Sequence, residues 1–142
     1  MPILTRAELE TRLGAETVLQ LTDLENLGLA NAERVNAALS DAEAEVMGYV
    51  RAATSAPIPD PAPDTLKRLV AIVAHYNLWR RQCTEDNPVY IAYRDAAREL
   101  RDIATGKVAL FPSPDGAAVP PGAAVWAPPR MLTDTSLARM LP

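Results

Sequence analysis

Cysteine and histidine occur once each in this chain, as Cys83 and His75. One cysteine excludes an intrachain disulfide, and it leaves too few thiolate and imidazole ligands for a zinc-type site within one chain. Glycine is sparse, at 6 residues, and none of it falls in a G-x-G-x-x-G or Walker-type loop. Neither G-x-S-x-G nor H-E-x-x-H occurs. No apolar run approaches the 18 or so residues of a membrane span, so no membrane association is expected. The opening stretch, MPILTRAELE, has no apolar core of signal-peptide length. Together with the lone cysteine, this leads us to expect a soluble protein made in a cytoplasm. A basic excess is also missing: 14 Lys plus Arg face 18 Asp plus Glu, a net charge of −4. Non-specific binding to nucleic acid needs the opposite balance.

Helical signals fill most of the chain. Thr5 followed by Glu8 reads as a capping box, opening a helix over 6–13 that stops at Gly14. AETVLQLTD predicts a second short helix packed through Val18, Leu19 and Leu21. LENLGLAN reads as a loop broken at Gly28. Asn31 is a suitable N-cap. After it, Val35, Leu39, Ala42, Val46, Tyr49 and Ala53 form one stripe at spacings of four and three, the pattern of a long amphipathic helix. The prolines at 57, 59, 61 and 63 make an extended connector. Asp64 is expected to cap a helix over 65–83. That helix is apolar nearly all round, so it should be the central one. Asn87 and Pro88 start a helix to about residue 105, with Ile91, Tyr93, Ala97, Leu100, Ile103 and Ala104 inward and Gly106 as its stop. KVALF reads as a short strand. Beyond it the chain is rich in Pro, Gly and Ala, with apolar residues strung along it.

The fold expected is therefore all-α: a compact bundle of about four to five helices over 1–110, with an extended Pro/Gly/Ala-rich C-terminal arm over 111–142. A chain of this length can bury about two thirds of its unfolded surface and needs no metal or disulfide to be stable.

Few residues could carry chemistry. Within its helix His75 has Ala71, Ile72, Leu78 and Trp79 at three and four residues' distance, and none is a ligand, acid or nucleophile. We read it as a core residue satisfied by a backbone carbonyl. Cys83 lies at a helix C-terminus, the wrong end to stabilise a thiolate. Asp41, Glu43 and Glu45 alternate at i, i+2 and point to different sides of a helix. Asp60, Asp64, Glu85 and Asp86 have no metal-loop spacing. The Trp79–Arg80–Arg81 triplet lacks the surrounding basic density of a nucleic-acid site. No catalytic, cofactor-binding or metal site is expected, and the protein is not expected to be an enzyme. The charge is uneven, however. Residues 1–50 hold 3 basic and 9 acidic side chains, whereas 66–101 hold 7 basic and 4 acidic. Complementary patches of this kind suit head-to-tail contact between copies.

Four segments carry a family resemblance: LTRAELETRLGAETVLQLTD at 4–23, VNAALSDAEAEVMGYVRAA at 35–53, LKRLVAIVAHYNLWRR at 66–81 and YRDAARELRDIATGKVAL at 93–110. Their order resembles the head–tail connector (adaptor) family of Mu-like phages and prophages. The matching features are Gly14, Glu16 and Leu21–Thr22–Asp23, the Gly48–Tyr49 pair, the run from Val73 to Arg81, and Gly106–Lys107. The proline-rich connector and the stretch after 111 depart from the family's pattern. The resemblance implies a virion structural protein at the head–tail junction, assembled in the bacterial host cytoplasm. It would form a homo-oligomeric ring, commonly of twelve copies, on the portal protein and dock a tail-side connector or tail terminator protein. DNA would pass through its channel without sequence-specific binding. The contacts expected are Glu43, Glu45, Arg80, Arg81 and Arg94 on the body, with Trp126, Arg130, Met131, Leu132, Leu137 and Met140 on the arm. Without the resemblance, the residues also fit a small helical partner-binding or regulatory module that uses its arm.

Overall fold

Local capping signals set most of the helix boundaries. The structure is a computed structural model that describes residues 2–79 and 84–111. Among them are five helices: α1 (Arg6–Leu13), α2 (Ala15–Thr22), α3 (Ala32–Ala53), α4 (Asp64–Trp79) and α5 (Pro88–Ala104). The capping box forms as read: the Glu8 amide donates to Thr5 Oγ1, and the Thr5 amide donates to Glu8 Oε2. Gly14, at φ +89°, separates α1 from α2. Asn31 accepts from the Arg34 amide at the start of α3, and Asn87 accepts from the Val89 amide at the start of α5. Gly106, at φ +74°, ends α5 and donates to the Ile103 carbonyl. Glycine is favoured there because a Cβ is strained in left-handed backbone.

Helices α3, α4 and α5 form the body, and α1 and α2 lie across it. α4 packs against all four other helices, as its apolar circumference required. Its Leu66, Leu69, Val70, Ala71, Val73 and Ala74 are buried. They meet Val35, Leu39, Ala42, Val46 and Val50 of α3 and Ala96, Leu100 and Ile103 of α5 in one core. Leu9 of α1 and Val18 of α2 close that core from the side. The N-terminal strand of chain is tied in as well. The amides of Ile3 and Leu4 both donate to Glu43 Oε1, at 2.7 and 3.1 Å. Leu4 is thereby held in the core at 1% exposure.

Several expectations change. KVALF forms turns and bends instead of a strand, although Leu110 packs on the core. Among the described residues there is no strand for it to pair with, and an isolated strand leaves its amides unsatisfied. Asp64 is the first residue of α4 and not its cap. Ile91 points outward at 39% exposure. Ala53 is exposed, and Val50 takes the last core place of the α3 stripe. Leu19 and Leu21 are only half-buried; in α2 Val18 and Thr22 go inside. The expected continuation of α4 through 80–83 and the C-terminal arm from 112 lie outside the described residues.

One ion pair gives a pH signature. Lys67 Nζ donates to Glu8 Oε1 at 2.5 Å, joining α4 to α1. The Lys67 ammonium, aided by the Thr5 amide and hydroxyl, holds the Glu8 carboxyl at about 2, below its ordinary 4.5. A depressed carboxyl contributes stability above its unfolded value and loses it as pH falls through the folded one. Unfolding midpoints measured from pH 5 to pH 2 should therefore fall less steeply in Glu8→Gln than in the wild type. Equal slopes would mean that the pair contributes nothing.

Candidate assembly surface

The segment joining α2 to α3 carries the largest apolar exposure on the described surface. Leu24, Leu27 and Leu29 are 61%, 69% and 74% exposed. Leucines this open are unremarkable singly, but three within six residues form a patch of a kind associated with binding. The backbone beneath them is fixed. Asp23 accepts from the Leu27 amide through Oδ1 at 2.8 Å and from the Gly28 amide through Oδ2 at 2.7 Å. The bends are made by Asn26, at φ +54°, and Gly28, at φ +71°. Asparagine and glycine are the residues that best tolerate that region. At the base, buried Thr22 donates to the Val18 carbonyl and accepts from the Asn31 amide. Ala30 then packs on the core. The loop's backbone is held by hydrogen bonds at Asp23 and at Thr22–Asn31, and Glu25 on it is exposed.

The residues singled out in the sequence are dispersed. Arg94 is exposed on α5, 3.9 Å from Asp95, with Arg98 also 3.8 Å from that carboxylate. Pairs this long and exposed contribute little to stability, so these charges are available for contacts. Glu43 has its carboxylate engaged by the N-terminal amides. Glu45 Oε1 accepts from the Tyr93 hydroxyl at 2.9 Å. Burial first, and then the Glu45 carboxylate, push the Tyr93 phenol up to about 12. Tyr93 stacks on Tyr76 with ring centroids 4.0 Å apart, and Tyr90 lies 6.1 Å from Tyr76 at a tilt of 53°. Arg80, Arg81, Cys83, Trp126, Arg130, Met131, Leu132, Leu137 and Met140 lie outside the described residues.

His75 is half-buried and borders a groove of about 180 Å³ with Arg12, Leu13, Arg68, Ile72 and Val89. Its Nε2 is buried and has no hydrogen-bond partner among the described residues. The carbonyl partner expected for it is not seen there. Desolvation lowers its pKa below 6.5, so the ring favours the neutral form. A base with a depressed folded pKa loses stability as pH falls from its unfolded value through the folded one. His75→Gln should fold with a modest stability loss at pH 7 and show a flatter stability profile just below pH 6.5. A folded variant that no longer assembles would give His75 a direct role.

Among the described residues there is no cluster of three or more His, Cys, Asp or Glu side chains able to hold a metal, and no helix long and apolar enough to cross a membrane. The leucine loop was missed in sequence because it lacks a helical period. Its signal was there all the same: three leucines interleaved with Asp, Glu, Asn and Gly, residue types that build turns. Comparison with known families matches residues 4–126 to the family described as Bacteriophage Mu, Gp36. No curated protein matches the chain.

Proposed function

This chain belongs to the Bacteriophage Mu Gp36 family, and from that membership we propose that it is a virion structural protein, a head–tail adaptor that forms a ring on the portal. The observation that carries this reading is the exposed leucine loop of residues 23–31, whose backbone is held by hydrogen bonds to Asp23 and Thr22. A surface loop pinned from below, with Leu24, Leu27 and Leu29 turned to solvent, is built to be covered. A loop of one copy that meets a different face of the next makes a heterologous contact, and such contacts form a ring when the rotation between copies closes. The uneven charge of the two halves supports the same geometry.

In this reading the helical body spans 1–110 and residues 111–142 are an arm that reaches a neighbour. The neighbours are further copies of the chain, the portal, and a tail-side connector or terminator protein. DNA passes through the ring, and the acidic balance keeps the wall from holding it. Catalysis plays no part. The place of action is the head–tail junction, after assembly in the host cytoplasm.

The test is native mass measurement with negative-stain imaging, on the protein alone and mixed with the portal from the same genome. Closed rings, or an added disc on the portal, support the adaptor. A monomer that ignores the portal overturns it and favours a module that binds a single partner protein.

A further inference from the structure

The leucine loop needs a seat on the next copy, and the groove beside His75 has the right size, lining and charge for one. The end of α1, the middle of α4 and the start of α5 meet there. Leu13, Ile72 and Val89 make its apolar walls, and Arg12 and Arg68 stand at its rim. Its volume is about 180 Å³. A space of roughly 150 Å³ lined by aliphatic side chains holds a benzene ring. The groove therefore suits one leucine side chain, and it falls short of the roughly 300 Å³ of a small-molecule site.

Charge matches the two surfaces. Residues 23–31 read DLENLGLAN, with two carboxylates and no cation. Glu25 is exposed, and no Lys or Arg lies within salt-bridge distance of it among the described residues. No carboxylate lines the groove. Arg68 is paired with Glu99 at 2.6 Å, but Arg12 reaches only the exposed Asp64, at 3.8 Å. Other candidate seats fit less well. One groove at Met47 sets Glu43 and Asp60 against Arg51, and another at Ser40 sets Glu43 against Arg6. The tyrosine cluster of α3, α4 and α5 is closed on itself: Tyr76 stacks on Tyr93 and meets Tyr90 at a tilt, with Tyr49 near Tyr93. The loop cannot fill the groove of its own molecule. It begins beyond the far end of α2, roughly 12 Å along that helix from Leu13. Its backbone is tied there, and none of its residues lines the groove.

We infer that a leucine of the 23–31 loop of one copy seats in the Leu13–Ile72–Val89 groove of the next, with Glu25 against Arg12. The inference rests on the adaptor reading and names the two faces of its ring contact. Loop and groove share no residue, so the contact is head-to-tail, the kind a ring requires.

Cysteine trapping between full-length chains tests it, in a Cys83→Ser background. One chain carries Ala92→Cys, at an exposed position on the groove wall. The other carries a single cysteine in place of Leu24, Leu27 or Leu29. Chains with Ser40→Cys or Met47→Cys probe the rival grooves. Native mass is read before oxidation. Rings are expected, with at least one loop cysteine forming a disulfide to position 92 at least about tenfold more often than to 40 or 47, since a disulfide needs close Cβ atoms. Rings that trap at 40 or 47, or at no groove, overturn this contact and leave the adaptor reading standing. A mixture without rings overturns both. Charge exchange gives a second measurement without cysteines. Arg12→Glu and Glu25→Arg should each assemble at least about threefold more weakly alone, because like charges then meet. An equimolar mixture of the two should recover assembly, with the variants alternating one to one. A mixture no better than either variant overturns the Arg12–Glu25 pairing.

Discussion

Replacing Leu24, Leu27 and Leu29 together by serine is expected to leave the helical bundle folded and to weaken association between copies, or with the portal, by at least about a hundredfold, a change of roughly 3 kcal/mol. The first half of this outcome follows from exposure. The three side chains are open to solvent, so their loss costs the isolated fold little. The loop's shape survives because it is set by Asp23, Thr22 and the turns at Asn26 and Gly28, none of which changes. The second half follows from what an interface leucine contributes. Fully covering one such side chain contributes about 1.5–3 kcal/mol. A loop whose backbone is already hydrogen-bonded also loses little conformational entropy on binding, so more of that burial appears as affinity. Sedimentation and portal pull-down on the triple variant, with circular dichroism as the folding control, decide it. Unimpaired assembly would move the interface off this loop and take away the structural observation that supports the adaptor reading, leaving it on family membership alone.

A pair of substitutions on α5 should differ at least about sixfold in cost. Leu100→Ala is expected to destabilise the protein by about 3 kcal/mol, within the usual range for buried leucines. Its side chain is 0% exposed and sits where α5 meets α3 and α4. Ile91→Ala, nine residues earlier on the same helix, should cost less than about 0.5 kcal/mol, because Ile91 is 39% exposed. Denaturant midpoints measured side by side give the comparison. A large loss in Ile91→Ala would mean that a partner or another part of the chain covers that position.

Ile91 also marks the boundary of what the sequence can tell. The start of α5 was legible because Asn87 and Pro88 act locally, through one amide and one fixed φ. The same holds for Thr5 with Glu8, for Asn31, and for the stops at Gly14 and Gly106. Which apolar residues go inside is a question about neighbours. Ile91 lies in the first turn of α5, where no described helix covers it, whereas Leu100 lies between two. Ala53 and Val50 differ for the same reason. The candidate contacts were less legible still. Glu43 and Glu45 read in sequence as surface charges for contacts with another protein. Their partners, the Ile3 and Leu4 amides and the Tyr93 hydroxyl, stand between 39 and 48 residues away in sequence. The tyrosine cluster is spread over three helices, so no window of sequence contains it.

The Lys67–Glu8 bridge spans 59 residues, and this has a consequence for how the protein is born. The first two helices leave the ribosome with Leu9 and Val18 only partly covered, because α4, which packs on both together with α3, has not been made. At about 5–20 residues per second, that wait lasts roughly 3–12 seconds. An eight-residue helix is too short to hold its shape alone in water over such a time. The N-terminal segment therefore lacks part of its cover until α4 emerges, and during that interval its leucines are open to chaperones and proteases.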